Sequence, residues 1–523
     1  MFHYKIMSNI KNNFMKTKII AYIATAMLFT SCSDFLDQDV ETAYTGEQVF
    51  SKMDNVEPFL NGAFTSWRNM QKDRGGMRFT LGTDEGQQGA YQVRTDADQA
   101  ELDYYNNYRG AENSTINAMW NERFIVVNSA AQVVFYLPTN TEEDAARREK
   151  LIGRASFLRA AVMFELARYW GEIPLIDLAR TNELGFGRQP LEVVYQQIIS
   201  DLQNAAQKLP DTEENKSMPT KWVAQALLGK VYMSAQEESG FRDYTLAKNA
   251  FEAVINSGRF SLLPSYANLF SQDFSNTQES VYEFQFSNTY PDNNQLQFQL
   301  GSRAVSAVDQ RAFFMGYDLL LPTQYCYKDV NNGGIWEAGD TRKNVSIRYD
   351  FTYRGSVPPL PAGFGGDELD PHVKKFEDPR TQGATDAWYS GKNKHYIRYS
   401  DVLLSYAECL NELGQTGEAE GYVNQVRARA FGGTLPAGMA WSGTSQNDFK
   451  VKILDERMRE LAFEGWRRID LLRTGKFIEL VKSRNRWANE SGTINQTHLR
   501  YPIPLLEIKK NDEIGPGDQN PGY

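Results

Sequence analysis

The sequence predicts a mainly α-helical protein, a helical-repeat scaffold carrying long irregular loop insertions and small β-hairpins. Apolar residues recur at three- and four-residue spacing through most of 48–258 and again from 398 onward, which is the signature of helices with one buried face. Residues 259–397 break that pattern: they are rich in Gly, Pro, Asn, Ser and aromatics, with short apolar runs such as 281–286. No long Pro/Gly/Ser linker divides the chain, so 48–523 reads as a single domain. Its scaffold is 48–258 and 398–523, interrupted by the loop-rich insertion 259–397.

The elements follow in order. Lys16 and Lys18 precede an apolar run over 19–29, then the small residues Thr30 and Ser31, then Cys32. That order reads as a lipoprotein signal peptide over 1–31 with Cys32 as the lipidation site. An apolar run this short cannot cross about 30 Å of hydrocarbon at 1.5 Å per residue. The chain is therefore expected to be tethered to a membrane and not to span it. The alternative is a free secreted protein cut near Ser31. Residues 32–47 form an acidic linker carrying Asp34, Asp37 and Asp39.

Helices are predicted over 48–70, 114–136, 143–169, 191–209, 219–236 and 243–257, and again over 398–413, 416–430 and 447–464. Gly171 and Pro174 stop the third helix. Two helix pairs look like tetratricopeptide units. Gly229 and Tyr232 face Ala247 and Phe251 in the first; Tyr406, Ala407 and Gly414 precede Ala419 and Val423 in the second.

Composition excludes several functions. The formal charge is -10, with 66 acids against 56 Lys and Arg. Such acidity argues against nucleic acid, which is bound by basic patches. Of three cysteines, Cys326 and Cys409 are left beside Cys32, too few for a disulfide framework or a cysteine-rich metal centre. His372, His395 and His498 lack HExxH spacing, and neither a GxSxG elbow nor a P-loop lysine motif is present. The chain is expected not to be an enzyme and to need no cofactor, although paired carboxylates for glycoside cleavage stay open among 66 acids. A structural calcium could use Asp367, Glu368 and Asp370, but they lack the EF-hand pattern, and a solvated acidic run is the simpler reading.

Six strings occur in order: Ser31-Cys-Ser-Asp-Phe-Leu-Asp37; Gly153-Arg-Ala-Ser-Phe-Leu-Arg-Ala160 leading to Tyr169-Trp-Gly-Glu-Ile-Pro-Leu175; Trp222-Val-Ala-Gln-Ala-Leu-Leu-Gly-Lys-Val-Tyr232; Ile397-Arg-Tyr-Ser-Asp-Val-Leu-Leu-Ser-Tyr-Ala-Glu408; Glu456-Arg-Met-Arg-Glu-Leu-Ala-Phe-Glu-Gly-Trp-Arg-Arg-Ile-Asp-Leu471; and Tyr501-Pro-Ile-Pro504 through Gln519-Asn-Pro-Gly-Tyr523. Together they resemble the SusD/RagB family of outer-membrane nutrient-binding lipoproteins. The resemblance implies a tetratricopeptide-like scaffold and a sugar-binding surface built from inserted loops. It also implies a SusC-like, TonB-dependent transporter as partner, with the protein lipid-anchored and surface-exposed on the cell outer membrane. The acidic stretch after Cys32 resembles the surface-export signal of Bacteroidetes lipoproteins.

The residues of these strings read as structural. Glu460, Glu464, Arg467 and Asp470 are expected to form a partly buried ionic network, with Arg398, Arg154 and Arg159 also placed beside carboxylates. For the ligand, the resemblance points to two zones. Residues 67–108 offer Trp67, Asp84, Tyr104, Tyr105, Asn107 and Tyr108; the middle insertion offers Tyr290, Trp336, Trp388 and Tyr389. Aromatics beside amides suit stacking on sugar rings with hydroxyl hydrogen bonds, and loop aromatics suit this better than helical ones. A second reading is a peptide- or protein-binding assembly module that caps the transporter without binding sugar.

Overall fold

The computed structural model describes residues 49–106, 110–140, 144–180, 185–302, 316–349, 371–381 and 388–523. Contacts divide the chain into Met1–Val49 and Phe50–Tyr523. Of the first segment only Val49 is described, so the leader, Cys32 and the whole acidic linker lie outside the described residues. Asn107, Tyr108 and the Asp367, Glu368 and Asp370 run lie outside them as well.

The fold is a mainly helical, repeat-like scaffold. Its longer helices are α1 (Met53–Asn69), α2 (Ala97–Tyr104), α3 (Ser114–Tyr136), α4 (Ala145–Trp170), α5 (Leu191–Lys208), α6 (Lys221–Ser234), α7 (Tyr244–Asn256), α8 (Tyr399–Glu412), α9 (Thr416–Ala430), α10 (Gln446–Leu461), α11 (Arg467–Arg473), α12 (Phe477–Arg484) and α13 (Arg486–Ser491). From α3 each helix packs on the next through α9, and α1 packs on α3. The contact of α7 with α8 therefore closes the stack across the whole insertion. Asp144 caps α4 by accepting the Arg147 amide at 2.8 Å. From Leu151 to Trp170 nearly every residue of α4 is buried, which makes it the axis of the scaffold. Gly229 is the small residue that lets α6 meet α7: a Cβ there would lie 2.7 Å from the Phe251 ring.

The insertion folds mostly as turns and short helices, with strands from both halves of the chain. Four antiparallel two-stranded pairs occur among the described residues: β1 (Gly86–Gln87) with β5 (Leu321–Pro322), β2 (Ile173–Pro174) with β3 (Arg188–Gln189), β6 (Ile347–Arg348) with β7 (His372–Val373), and β4 (Ser280–Phe284) with β8 (Lys394–Arg398). The last pair runs from Ser280↔Arg398 to Phe284↔Lys394, and β8 leads directly into α8.

The C-terminal tail closes the end of α4. The Tyr501 amide donates to the Tyr169 carbonyl at 2.7 Å. Asn520 Nδ2 donates to the Trp170 and Tyr501 carbonyls at 2.8 and 2.7 Å. The strings at 169–175 and 501–523 thus form one structural joint.

The ionic network is deeper and wider than the sequence predicts. Arg398 holds Glu464 through Nε at 2.8 Å and Nη2 at 3.0 Å, Glu279 at 3.2 Å, and Glu460. Arg342 bridges Asp340, Glu456 and Glu460 at 2.7, 2.8 and 3.0 Å. Arg429 adds contacts to Glu279 and Glu460, and Lys375 to Glu464. Burial alone would raise the Glu464 carboxyl; Arg398 and Lys375 overrule it and hold it at about 2. Asp470 belongs to a separate group with Arg457, Arg473, Asp401 and Lys230. Arg159 forms a two-point contact with Asp201, and Arg154 lies between Glu57 and Glu213.

Candidate functional site

The structure separates the predicted ligand residues into a buried set and a surface set. Trp67 belongs to α1 and is fully buried among Phe157, Tyr282, Phe284 and Tyr396, so it is a core residue and presents no face to a sugar. Asp84 is likewise a correction. Its carboxylate is held by Arg467 Nε and Nη2 at 2.7 Å each and by Arg484 at 2.8 Å, leaving no room for a hydroxyl. Desolvation would raise Asp84, but the two guanidiniums keep it low. Tyr105 ends α2 with φ 56° and plugs a cluster formed by Leu471, Phe477, Val481, Ala488 and Ile494. Trp336 is also buried, its indole donating to the Cys326 carbonyl at 2.5 Å. Tyr104 is half-buried against Trp487, with ring centroids 5.5 Å apart.

Tyr290, Trp388 and Tyr389 come together instead. Loop 285–295 and segment 388–393 are tied by a bridge in which the Asn294 amide donates to the Ser390 carbonyl at 2.7 Å and the Ser390 amide donates to the Asn294 carbonyl at 3.2 Å. Asn293 Nδ2 donates to the Trp388 carbonyl at 2.6 Å, and Asn294 Nδ2 to the Lys392 carbonyl at 2.7 Å. Loop 285–295 is pinned to the end of α1 by the Arg68–Asp292 pair at 2.6 Å and by Lys72 on the Pro291 carbonyl at 3.2 Å. Two rings stand out from this ledge: Tyr290 is 71% exposed and Tyr389 is 38% exposed. Trp388 is half-buried, stacked on Phe298 at 3.6 Å with its edge toward Tyr317 at 5.8 Å.

Contacts from Trp388 through Tyr317 to Arg74 link the ledge with a cleft. The Arg74 guanidinium lies 5.5 Å from the Tyr317 ring and also lines a cleft of about 410 Å³ with Asn69, Asp73, Arg78 and Gln299. Two buried polar atoms of the cleft residues have no hydrogen-bond partner: the donor Arg78 Nε and the acceptor Gln299 Oε1. Unpaired buried polar atoms are costly, and a ligand that reached them with both a donor and an acceptor would gain by satisfying them. A polyol does both with each hydroxyl. The nearest acids engage the arginines only loosely, with Arg74–Asp96 at 3.5 Å and Arg78–Glu122 at 3.6 Å. Arg74, Arg78, Gln299 and Tyr317 were missed in the sequence. The available signal was the Arg74-Gly-Gly-Met-Arg78 string directly after a predicted helix. Among the described residues no group of His, Cys, Asp or Glu is placed to hold a metal ion. No helix among them is long and apolar enough to cross a membrane.

Comparison with known proteins bears on the family and the fold. A model of the SusD family matches residues 325–523, and one described as "Starch-binding associating with outer membrane" matches 34–233. The SusD-like protein P2 of Formosa agariphila is 27% identical, over 97% of this chain and all of that protein. The starch-binding protein SusD of Bacteroides thetaiotaomicron is 24% identical, over 97% of this chain and all of that protein. Among solved structures, surface glycan-binding protein A from Bacteroides thetaiotaomicron in complex with laminarihexaose superposes with a TM-score of 0.71 at 18% identity, covering 89% of this chain and 99% of that one.

Proposed function

We propose, from the SusD-family models that match residues 34–233 and 325–523, that the chain is a SusD/RagB-family protein that captures glycan at the cell surface and delivers it to a SusC-like, TonB-dependent outer-membrane transporter. The observations that carry the reading are the exposed rings of Tyr290 and Tyr389 on the ledge and, linked to it through Trp388, Tyr317 and Arg74, a cleft whose residues include the unpartnered Arg78 Nε and Gln299 Oε1. Flat rings take the C–H face of a sugar while the polar atoms read its hydroxyls. Affinity is expected to be modest, because a shallow ledge leaves much of the sugar wet, and several weak contacts along a polymer reinforce one another. The protein binds without turnover; cleavage is left to separate enzymes. The relatives named for starch and for laminarihexaose support a glucan as the first ligand class to try.

The chain is anchored through lipid on Cys32, and its serial helix packing supports a tetratricopeptide-like description of the scaffold. Cys32→Ala is expected to move the protein from the membrane fraction to the soluble fraction; unchanged partition would remove the anchor from the account. For the ligand, the soluble form starting after Cys32 is titrated calorimetrically with a panel of oligosaccharides that includes starch- and laminarin-derived ones. Saturable binding with no change in the sugar is the expected outcome. Flat traces across the panel, with the transporter complex still assembling, would favour the capping role without sugar.

A further inference from the structure

A second groove of about 470 Å³ is lined by Arg168 from α4, Gln236 to Glu238 and Arg242 from the turn after α6, Arg473, and Arg500. Its residues do not overlap those of the ledge and cleft. Arg168 is 3% exposed, and no carboxylate lies within ion-pair reach of it among the described residues. One of its nitrogens donates to the Ser234 carbonyl at 2.6 Å, and its Nε has no hydrogen-bond partner. This is unlike Arg342, Arg398, Arg457 and Arg473, each of which holds at least two acids. A buried charge is ordinarily paired. Burial pulls the Arg168 guanidinium below its ordinary value against its contact with the Tyr195 hydroxyl, and the nearby charge of Arg242 adds to the pull.

Arg500 is held at the same place by backbone geometry. Gly171, at φ 81°, ends α4, and a Cβ there would meet the Arg500 guanidinium at 2.9 Å. The glycine thus leaves the room in which Arg500 lies flat over the helix end. Arg242 and Arg500 pair with Glu237 at 2.8 Å and Glu238 at 2.6 Å, acids whose side chains are 81% and 58% exposed. Such exposed pairs are weak and readily exchanged for another anion. Arg473 is already neutralised by Glu408 and Asp470. Three guanidiniums therefore face two carboxylates in the groove, an excess of one positive charge.

We propose that this groove is a binding site for a singly charged oxoanion, a carboxylate or a sulfate ester, held between Arg168, Arg242 and Arg500. Guanidinium forks match both groups with paired N–H donors. The site stands apart from the glycan reading of the ledge and does not depend on it.

The soluble chain is titrated with D-glucuronate and with methyl sulfate, using D-glucose as the uncharged control and sodium chloride to hold ionic strength constant. Saturable binding of at least one anion, and none of glucose at this site, is expected. Arg242→Gln/Arg500→Gln should weaken it at least tenfold, whereas Glu238→Gln, which frees Arg500, should tighten it severalfold. Binding of glucuronate alone assigns a carboxylate, and of methyl sulfate alone a sulfate ester. No anion binding beyond the chloride control, or binding indifferent to both variants in correctly folded protein, overturns the proposal.

Discussion

Residues 456–473 and residues 286–295 are both polar stretches, and they spend their polarity in opposite directions. In the first, Glu456, Glu460, Glu464, Arg467 and Asp470 all point into buried ion pairs. In the second, Asn293 and Asn294 fix the backbone of the ledge while Tyr290 stands in solvent. The charged stretch holds the scaffold to its insertion, because Arg398 lies at the start of α8 and Arg342 lies in the insertion, and both meet Glu460. The ledge contributes little to that joint. Fully buried, paired charge in this chain therefore marks structure, and the proposed glycan surface lies where rings are exposed.

The comparison is broken most forcefully at Arg398. Arg398→Met leaves Glu279, Glu460 and Glu464 short of a counter-charge in a buried site, and is expected to cost about 3–5 kcal/mol in urea unfolding. A cost below about 1 kcal/mol would mean that the network is not a structural joint. Next comes Gly229→Ala, whose Cβ would lie 2.7 Å from the Phe251 ring; about 1–3 kcal/mol is expected from overpacking between α6 and α7.

Lys394, by contrast, is a buried amine without an ion-pair partner among the described residues. Its Nζ donates to Gln71 Oε1 and to the Gly76 carbonyl, both at 2.8 Å, beside a cavity of about 40 Å³ that Glu165, Glu464, His395 and Tyr396 also line. Burial brings the amine down to about 7 from an ordinary 10.5, against the weaker pull of Glu165 and Glu464. A depressed folded value means that the unfolded chain binds the extra proton between these limits. Stability from this group is thus complete above 10.5 and is lost as pH falls toward 7. The difference in unfolding free energy between wild type and Lys394→Met should vary across pH 7–10, with wild type gaining as pH rises. A flat difference would place the Lys394 amine in an ordinary environment.

Much of the scaffold was legible because its helices carry long apolar stripes. The predicted limits 114–136 and 416–430 are those of α3 and α9, and α4, α5 and α10 start within three residues of expectation. The short helices α2, α11, α12 and α13 were not read as separate elements, since six to eight residues hold barely two turns of any period. The site was half legible. Tyr290, Trp388 and Tyr389 were legible as loop aromatics and lie at the surface or half-buried, while Trp336, which follows Gly333 and Gly334 in the same insertion, is buried. Gly334 is there for contact: a Cβ would lie 2.1 Å from the Lys328 carbonyl, where the turn folds back and buries the indole. Asp84 misled for a related reason, since its partner Arg467 is 383 residues away and no local pattern announces the pair.

The smallest effect on stability and the most direct test of the account belong to the ledge. Tyr290→Ala/Tyr389→Ala removes two exposed rings and should change unfolding free energy by no more than about 0.5 kcal/mol. Calorimetric titration with a glycan that binds wild type is the measurement to make. The account predicts an affinity at least tenfold weaker in the double variant, a loss of about 1.4 kcal/mol. Undiminished affinity in the folded double variant would contradict it and move the glycan site away from this ledge.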